Sequence, residues 1–165
     1  MEDALGSFSR ALELDPSIEE ARWYAAVVRL RERDYVAGWG AYEGRWQSRT
    51  AREVPFRFPA WRGESLVGRH VLIYAEQGLG DQIMFASCVS HMVENAGRVT
   101  LECSRKLESL FLRSFPQVTV VGSLTNDRRV PEWVQGLGHV DYQVAIGSLP
   151  GHFRRNAEQF PVHSG

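Results

Sequence analysis

The segment Val71-Leu-Ile-Tyr-Ala75-Glu76-Gln-Gly-Leu-Gly-Asp81 constrains this chain more than any other. A short continuous apolar run suits a strand buried on both faces, which occurs in parallel sheets. The run ends in a glycine turn, and an apolar helical segment follows from Asp81 to Ala96, with Ser87, His91, Glu94 and Asn95 on one stripe. That pattern predicts a largely buried helix, closed by Gly97 at the position after its C-cap. Further strands are expected at Val99–Cys103, Val118–Val121 and Tyr142–Ile146, with a helix over Lys106–Phe115. Alternating strands and helices with short connections specify an α/β fold with a parallel sheet and right-handed crossovers.

The N-terminal part follows different rules. Four of the five tryptophans lie in the first 61 residues, whereas ten of the fifteen glycines come after Ser65. Ala4, Phe8 and Ala11, in a helix that Pro16 ends, are matched 34 residues later by Gly38, Tyr42 and Arg45, and Ala25 and Ala26 take the small-residue site of the following first helix. A 34-residue period with small residues at helix crossings and an aromatic one turn on is the tetratricopeptide (TPR) pattern. Arg22 and Arg29 stand where such repeats place apolar side chains. About one and a half repeats is fewer than the three or so needed for independent stability. Residues 1–46 are therefore expected to cover their apolar face elsewhere, with Phe56 to Trp61 as the cover. Pro55, Pro59 and Gly63 break any helix, so the expected division is a TPR-like remnant at 1–46, a linker at 47–67 and a Rossmann-like sheet domain at 68–165.

Composition removes several function classes. Nineteen basic against twenty acidic residues give a formal charge of −1, so no charge surplus favours nucleic acid or an anionic membrane. No apolar run reaches the about 18 residues of a membrane span, and the acidic Met-Glu-Asp start is unlike a signal peptide. Cys88 and Cys103 are too few for a disulfide framework. A cytoplasmic protein is the expectation. His70, His91, His139, His152 and His163 lack metal-ligand spacing, so no metal site is expected. Ser148 lacks the Gly-x-Ser-x-Gly elbow of esterases.

Chemistry is expected at Glu76–Asp81, because ligands of open α/β sheets bind beyond the carboxyl ends of the strands. Gly78 and Gly80 are free to take positive φ and admit a ligand to the backbone. Asp81 has two open roles: a helix N-cap accepting from Ile83 or Met84, or a carboxylate that takes a proton from an attacking hydroxyl. A dinucleotide fingerprint is the rival reading, with Gly78, Gly80 and Glu102 in place but bulky Ile83 at the third glycine position. Ser148 lies on the loop after the last strand, either lining the cleft or serving as a turn residue before Pro150.

Tyr42-Glu-x-Arg-Trp46, Trp61-Arg-Gly-Glu-Ser-Leu-x-Gly68, Glu76-Gln-Gly-Leu-Gly-Asp81 and Gly147-Ser-Leu-Pro150 follow in this order. Together they resemble the bacterial TPR-containing glycosyltransferases, whose catalytic part is similar to the heptosyltransferase group with its two-domain GT-B fold. The resemblance implies a general-base role for Asp81, with Gln77, Gly78, Gly80 and Ser148 binding substrate. It also implies that the chain holds the acceptor-side half and lacks the half that binds a nucleotide-sugar donor, leaving it inactive alone. The expected function is a truncated sugar transferase acting on a sugar or polypeptide acceptor. The alternatives are a binding module that holds a protein or peptide partner through its TPR helices, and a dinucleotide-binding oxidoreductase. No resident cofactor is implied. Arg154 and Arg155, the only basic pair near the end, read as a solvated helix face.

Overall fold

The computed structural model describes residues 2–47, 56–123 and 130–161. The chain forms two compact units, 1–51 with 150–165, and 52–149.

The helical unit begins with α1 (Glu2–Leu14), α2 (Glu19–Arg31) and α3 (Tyr35–Tyr42), and α3 runs into a 3-10 turn at Glu43–Gln47. Ala21, Ala25 and Ala26 are buried on α2, which packs against both α1 and α3. Gly38 permits the close approach of α3, since a Cβ there would lie 2.7 Å from the Leu30 side chain. Asp34 starts α3 by accepting from the Ala37 N–H at 3.3 Å. Tyr42 and Trp46 flank the buried Arg45 guanidinium at 4.8 and 4.6 Å, and Glu43 pairs with it at 2.7 Å. The segment from Pro150 belongs to this unit: the Trp39 indole N–H donates to the Arg154 carbonyl at 2.9 Å, and Phe160 meets the Tyr35 ring at 4.8 Å. Arg154 is therefore buried rather than part of a solvated face, while Arg155 is exposed.

The sheet unit is α/β, with β1 (His70–Tyr74), β2 (Arg98–Ser104), β3 (Thr119–Ser123) and β4 (Tyr142–Ala145) in the order β3-β2-β1-β4. Every pairing is parallel. Between β1 and β2 come α4 (Leu79–Ala86) and α5 (Val89–Asn95); α6 (Glu108–Ser114) precedes β3, and α7 (Glu132–Gln135) precedes β4. The apolar run of β1 is buried as its composition requires, with Val71, Leu72 and Ile73 at 0% exposure. One sheet face carries a cluster of Phe56, Leu72, Leu137 and Val140, edged by Phe58, Tyr74, Trp133 and Val134. Successive strand residues alternate faces, so Val71 and Ile73 point to the other side. α8 (Leu149–Phe153) carries the chain out of this unit.

Three expectations need correction. The helix read over Asp81–Ala96 is broken at Ser87 and Cys88, where the Ser87 hydroxyl bonds back to the Met84 carbonyl at 3.0 Å and competes with the helical ladder. It is also not buried throughout, because Leu79, Ile83 and Met84 are exposed. Residues 56–69 are structured rather than a bare linker. Phe56, Trp61 and Leu66 are buried, and Ala60 bridges Gln143 of β4 in parallel. Finally, Gly97 follows the C-cap but lacks positive φ. Its role is close packing, since a Cβ would lie 2.7 Å from the Gly68 backbone. Gly97→Ala should cost about 1–3 kcal/mol by overpacking against rigid backbone, measured as a lower urea midpoint at unchanged slope.

The amino end of the β1–β4 pair is held by His70. Its Nδ1 faces the His139 carbonyl at 2.8 Å and its Nε2 the Thr100 hydroxyl at 2.9 Å. A carbonyl only accepts, so Nδ1 carries the proton and Nε2 accepts from Thr100. Asp141 accepts from the His70 N–H at 2.9 Å and pairs with Arg69 at 2.9 Å. Burial, reinforced by the Arg98 charge, holds the His70 imidazole below its usual pKa, against the opposing pull of the His139 carbonyl and Asp141. The folded state thus favours neutral His70. Its contribution is complete above the unfolded pKa of about 6.5 and is lost as pH falls through the lower folded value. Stability should rise with pH across this window, and His70→Asn should flatten that slope in denaturant titrations.

Candidate functional site

The chain winds from β1 through β2 to β3 on one side of β1, then returns to place β4 on the other. The strand order reverses between the adjacent strands β1 and β4, the place where ligands bind in doubly wound sheets. The loops at this point are Glu76–Asp81 after β1 and the 3-10 turn Ile146–Ser148 after β4. The turn packs against α4. Gly147 permits this, since a Cβ there would lie 2.5 Å from the Glu76 carboxylate and 3.2 Å from the Phe85 ring.

The loop differs from its expected geometry in an informative way. Gln77 takes the left-handed conformation, with φ of 59°, whereas Gly78 is extended and Gly80 lies in the first turn of α4. A left-handed residue other than glycine stores strain that ligand loops often carry. The helix begins at Leu79, two residues earlier than expected. Asp81 therefore sits in the first turn instead of at the cap, and its Oδ2 accepts from the Gly78 N–H at 3.0 Å. Among the described residues, Asp81 Oδ1 and the N–H groups of Leu79 and Gly80 take no further partner. Gln77, Gly78, Leu79 and Gly80 are exposed, and Asp81 and Ser148 are half-buried.

Two buried polar side chains brace this loop. Glu102, at 0% exposure, accepts from the Ala75 N–H at 2.9 Å and from the Ser123 hydroxyl, linking the ends of β1, β2 and β3. Gln82, at 1% exposure, accepts from the Ser104 N–H at 2.9 Å and ties α4 to β2. A charged residue inside the apolar run Val99–Cys103 was a legible sign of such a brace; Gln82 gave none beyond one polar side chain on an apolar helix. Burial, with Glu102 and Glu108 nearby, pushes the Cys103 thiol up to about 12, so it stays protonated. Among the described residues no group of three or more His, Cys, Asp or Glu side chains is gathered as for a metal ion.

The described residues define an α/β unit built on a four-stranded parallel sheet. No family model matches the chain, and no solved structure matches it. The chain is similar to Protein FlbA of Caulobacter vibrioides (strain ATCC 19089 / CIP 103742 / CB 15), with 35% identity over 134 residues, covering 75% of this chain and 22% of that protein. It thus spans about a fifth of the length of this curated relative.

These findings correct the functional expectations. The likeness is to FlbA and not to a glycosyltransferase, so the truncated-transferase reading and its nucleotide-sugar donor are withdrawn. The TPR binding-module alternative has no support from any match. The oxidoreductase alternative has no support from any match, and the Glu102 carboxylate is taken up by Ala75 and Ser123. Ile83 projects outward and does not press on the sheet, so the side chain in the third glycine position was not the obstacle. Among the described residues no helix is long and apolar enough to cross a membrane.

Proposed function

We propose that the sheet unit binds a small hydroxyl-bearing molecule in the crevice between β1 and β4. The reading rests on one observation above others: the strand order β3-β2-β1-β4 reverses between β1 and β4, whose carboxyl ends lead into the Glu76–Asp81 and Ile146–Ser148 loops. The exposed start of α4 adds the chemistry. Leu79 and Gly80 offer N–H donors at the positive end of the helix, and Asp81 offers an acceptor in the same turn. A hydroxyl both accepts and donates, so one such group satisfies both sides. Asp81 is then the residue that takes a hydrogen bond, or a proton, from the ligand. Gln77 and Gly78 shape the approach, Gly80 supplies its N–H, and Ser148 lines the opposite wall. A polyanion fits less well, because the Asp81 carboxylate already faces the helix end.

Calorimetric titration with a set of small diols and hydroxy acids tests this, with the matched methyl ethers as controls. Alcohols should bind and ethers should not. Asp81→Asn should weaken binding roughly tenfold, the loss of one charge-assisted hydrogen bond, with the thermal midpoint nearly unchanged. Equal binding of alcohols and ethers, or no effect of Asp81→Asn, would contradict the reading.

A further inference from the structure

The two edges of the sheet are closed by different means. Beside β4, the Trp61 N–H donates to the Gln143 carbonyl at 2.9 Å and the Gln143 N–H to the Pro59 carbonyl at 2.8 Å, so the chain covers that edge itself. β3 is the other edge, paired among the described residues only with β2. The Ser123 carbonyl accepts from Arg105 on the β2 side. Neighbouring residues along a strand direct their backbone groups to opposite sides, so Val120 and Gly122 present theirs to the open edge.

An open edge is a template for another strand, and proteins usually protect it with charge, proline or a bulge. The strand itself has no such protection. Residues 114–126 carry no charged side chain, and Val118-Thr-Val-Val121 is the β-branched, uncharged sequence that pairs readily with itself. The charge comes from the first residue of α6. Glu108 Oε1 accepts from the Gly122 N–H at 2.9 Å. A Cβ on Gly122 would lie 2.6 Å from the Glu108 carboxyl carbon. The glycine is thus the notch that admits this carboxylate, a close approach of the kind that explains glycine inside a strand.

We infer that Glu108 guards the β3 edge, and that displacing it opens this edge to strand pairing with a second copy of this chain. Glu108 occupies an outward N–H that such a pairing needs. The guard takes no part in the crevice at β1 and β4, so it stands or falls separately from the ligand reading.

Sedimentation of the full chain over a concentration series, with amide exchange at Gly122, tests the guard. Wild type and Glu108→Gln, which keeps an oxygen acceptor, should sediment as one chain. Glu108→Ala should shift toward two chains and more as concentration rises, and its Gly122 amide should exchange roughly tenfold faster in dilute solution. Glu108→Asp keeps the charge but falls one methylene short, and it serves the same purpose if the alanine variant does not fold. Adding Thr119→Lys, at an exposed position of β3, should return either variant to a single chain. Folded Glu108→Ala and Glu108→Asp that stay single at every concentration would overturn the inference. So would association that Thr119→Lys leaves intact.

Discussion

Phe56→Ala should cost about 3–5 kcal/mol in the stability of the sheet unit, the usual loss for a fully packed core aromatic. Phe56 is 3% exposed and meets the rings of Phe58, Tyr74 and Trp133 at 6.2, 5.6 and 5.9 Å. It also shares one cluster with Leu72 at the centre of the sheet. A truncation there opens a cavity between β1 and α7 that neither backbone element is free to fill. Chemical denaturation followed by tryptophan fluorescence reads the effect through Trp133. Phe58→Ala, at the half-buried edge of the same cluster, should cost clearly less. A loss under about 1 kcal/mol for Phe56→Ala, the range of ordinary surface changes, would mean that residues 56–61 do not belong to this core.

The second large effect is expected at Glu102. Replacing it with alanine leaves the buried Ala75 N–H and the half-buried Ser123 hydroxyl without their acceptor. Hydrogen bonds to a charged group are worth about 1.5–3 kcal/mol each. The removed charge also no longer has to be kept out of water, which offsets part of the loss. A net cost of about 3 kcal/mol is the balance. Glu102→Gln keeps an oxygen for Ala75 and an amide for Ser123, so it should lose only about 1 kcal/mol. Equal losses for the two variants would show that side-chain volume, and not the acceptor pair, holds the three strand ends together. Because Ala75 leads directly into Glu76–Asp81, Glu102→Ala should also loosen that loop, seen as faster amide exchange at Gly78.

The parts of the structure set by local pattern were legible in the sequence. Val71–Ala75 is so uniformly apolar that only a buried parallel strand accounts for it, and β1 forms there. The four strands and the glycine loop follow from the same kind of signal. What escaped depends on contacts distant in sequence. Pro59 and Gly63 look like punctuation, yet Pro59 and Trp61 pair with Gln143, more than eighty positions away. Arg154 looks like a surface residue, yet Trp39 binds its carbonyl from a helix over a hundred positions earlier. The break at Ser87 turns on a hydroxyl rotamer, which periodicity does not register.

The glycine loop was legible in its place after β1 and less so in its conformation. Glycine spacing located the loop, and Asp81 and Ser148 lie on the loops that strand order brings to one edge. The spacing also suggested which residues would be left-handed, and there the structure assigns the strain to Gln77. Conformation in such a turn is fixed by the anchors around it: Glu102 on Ala75, Gln82 on Ser104, and Asp81 on Gly78. The TPR and glycosyltransferase likenesses drew on short motifs of turn residues and aromatics, types that recur for packing reasons in unrelated chains. They did not survive comparison over 134 aligned residues.

Amide chemical-shift mapping of the full chain with the tightest-binding diol tests the central claim most directly. The site at the β1–β4 switch point predicts saturable shifts grouped at Gln77, Gly78, Leu79, Gly80 and Asp81, with a second group at Gly147 and Ser148. Shifts grouped instead at the opposite end of the sheet, around His70, His139 and Asp141, or scattered without saturation, would contradict it.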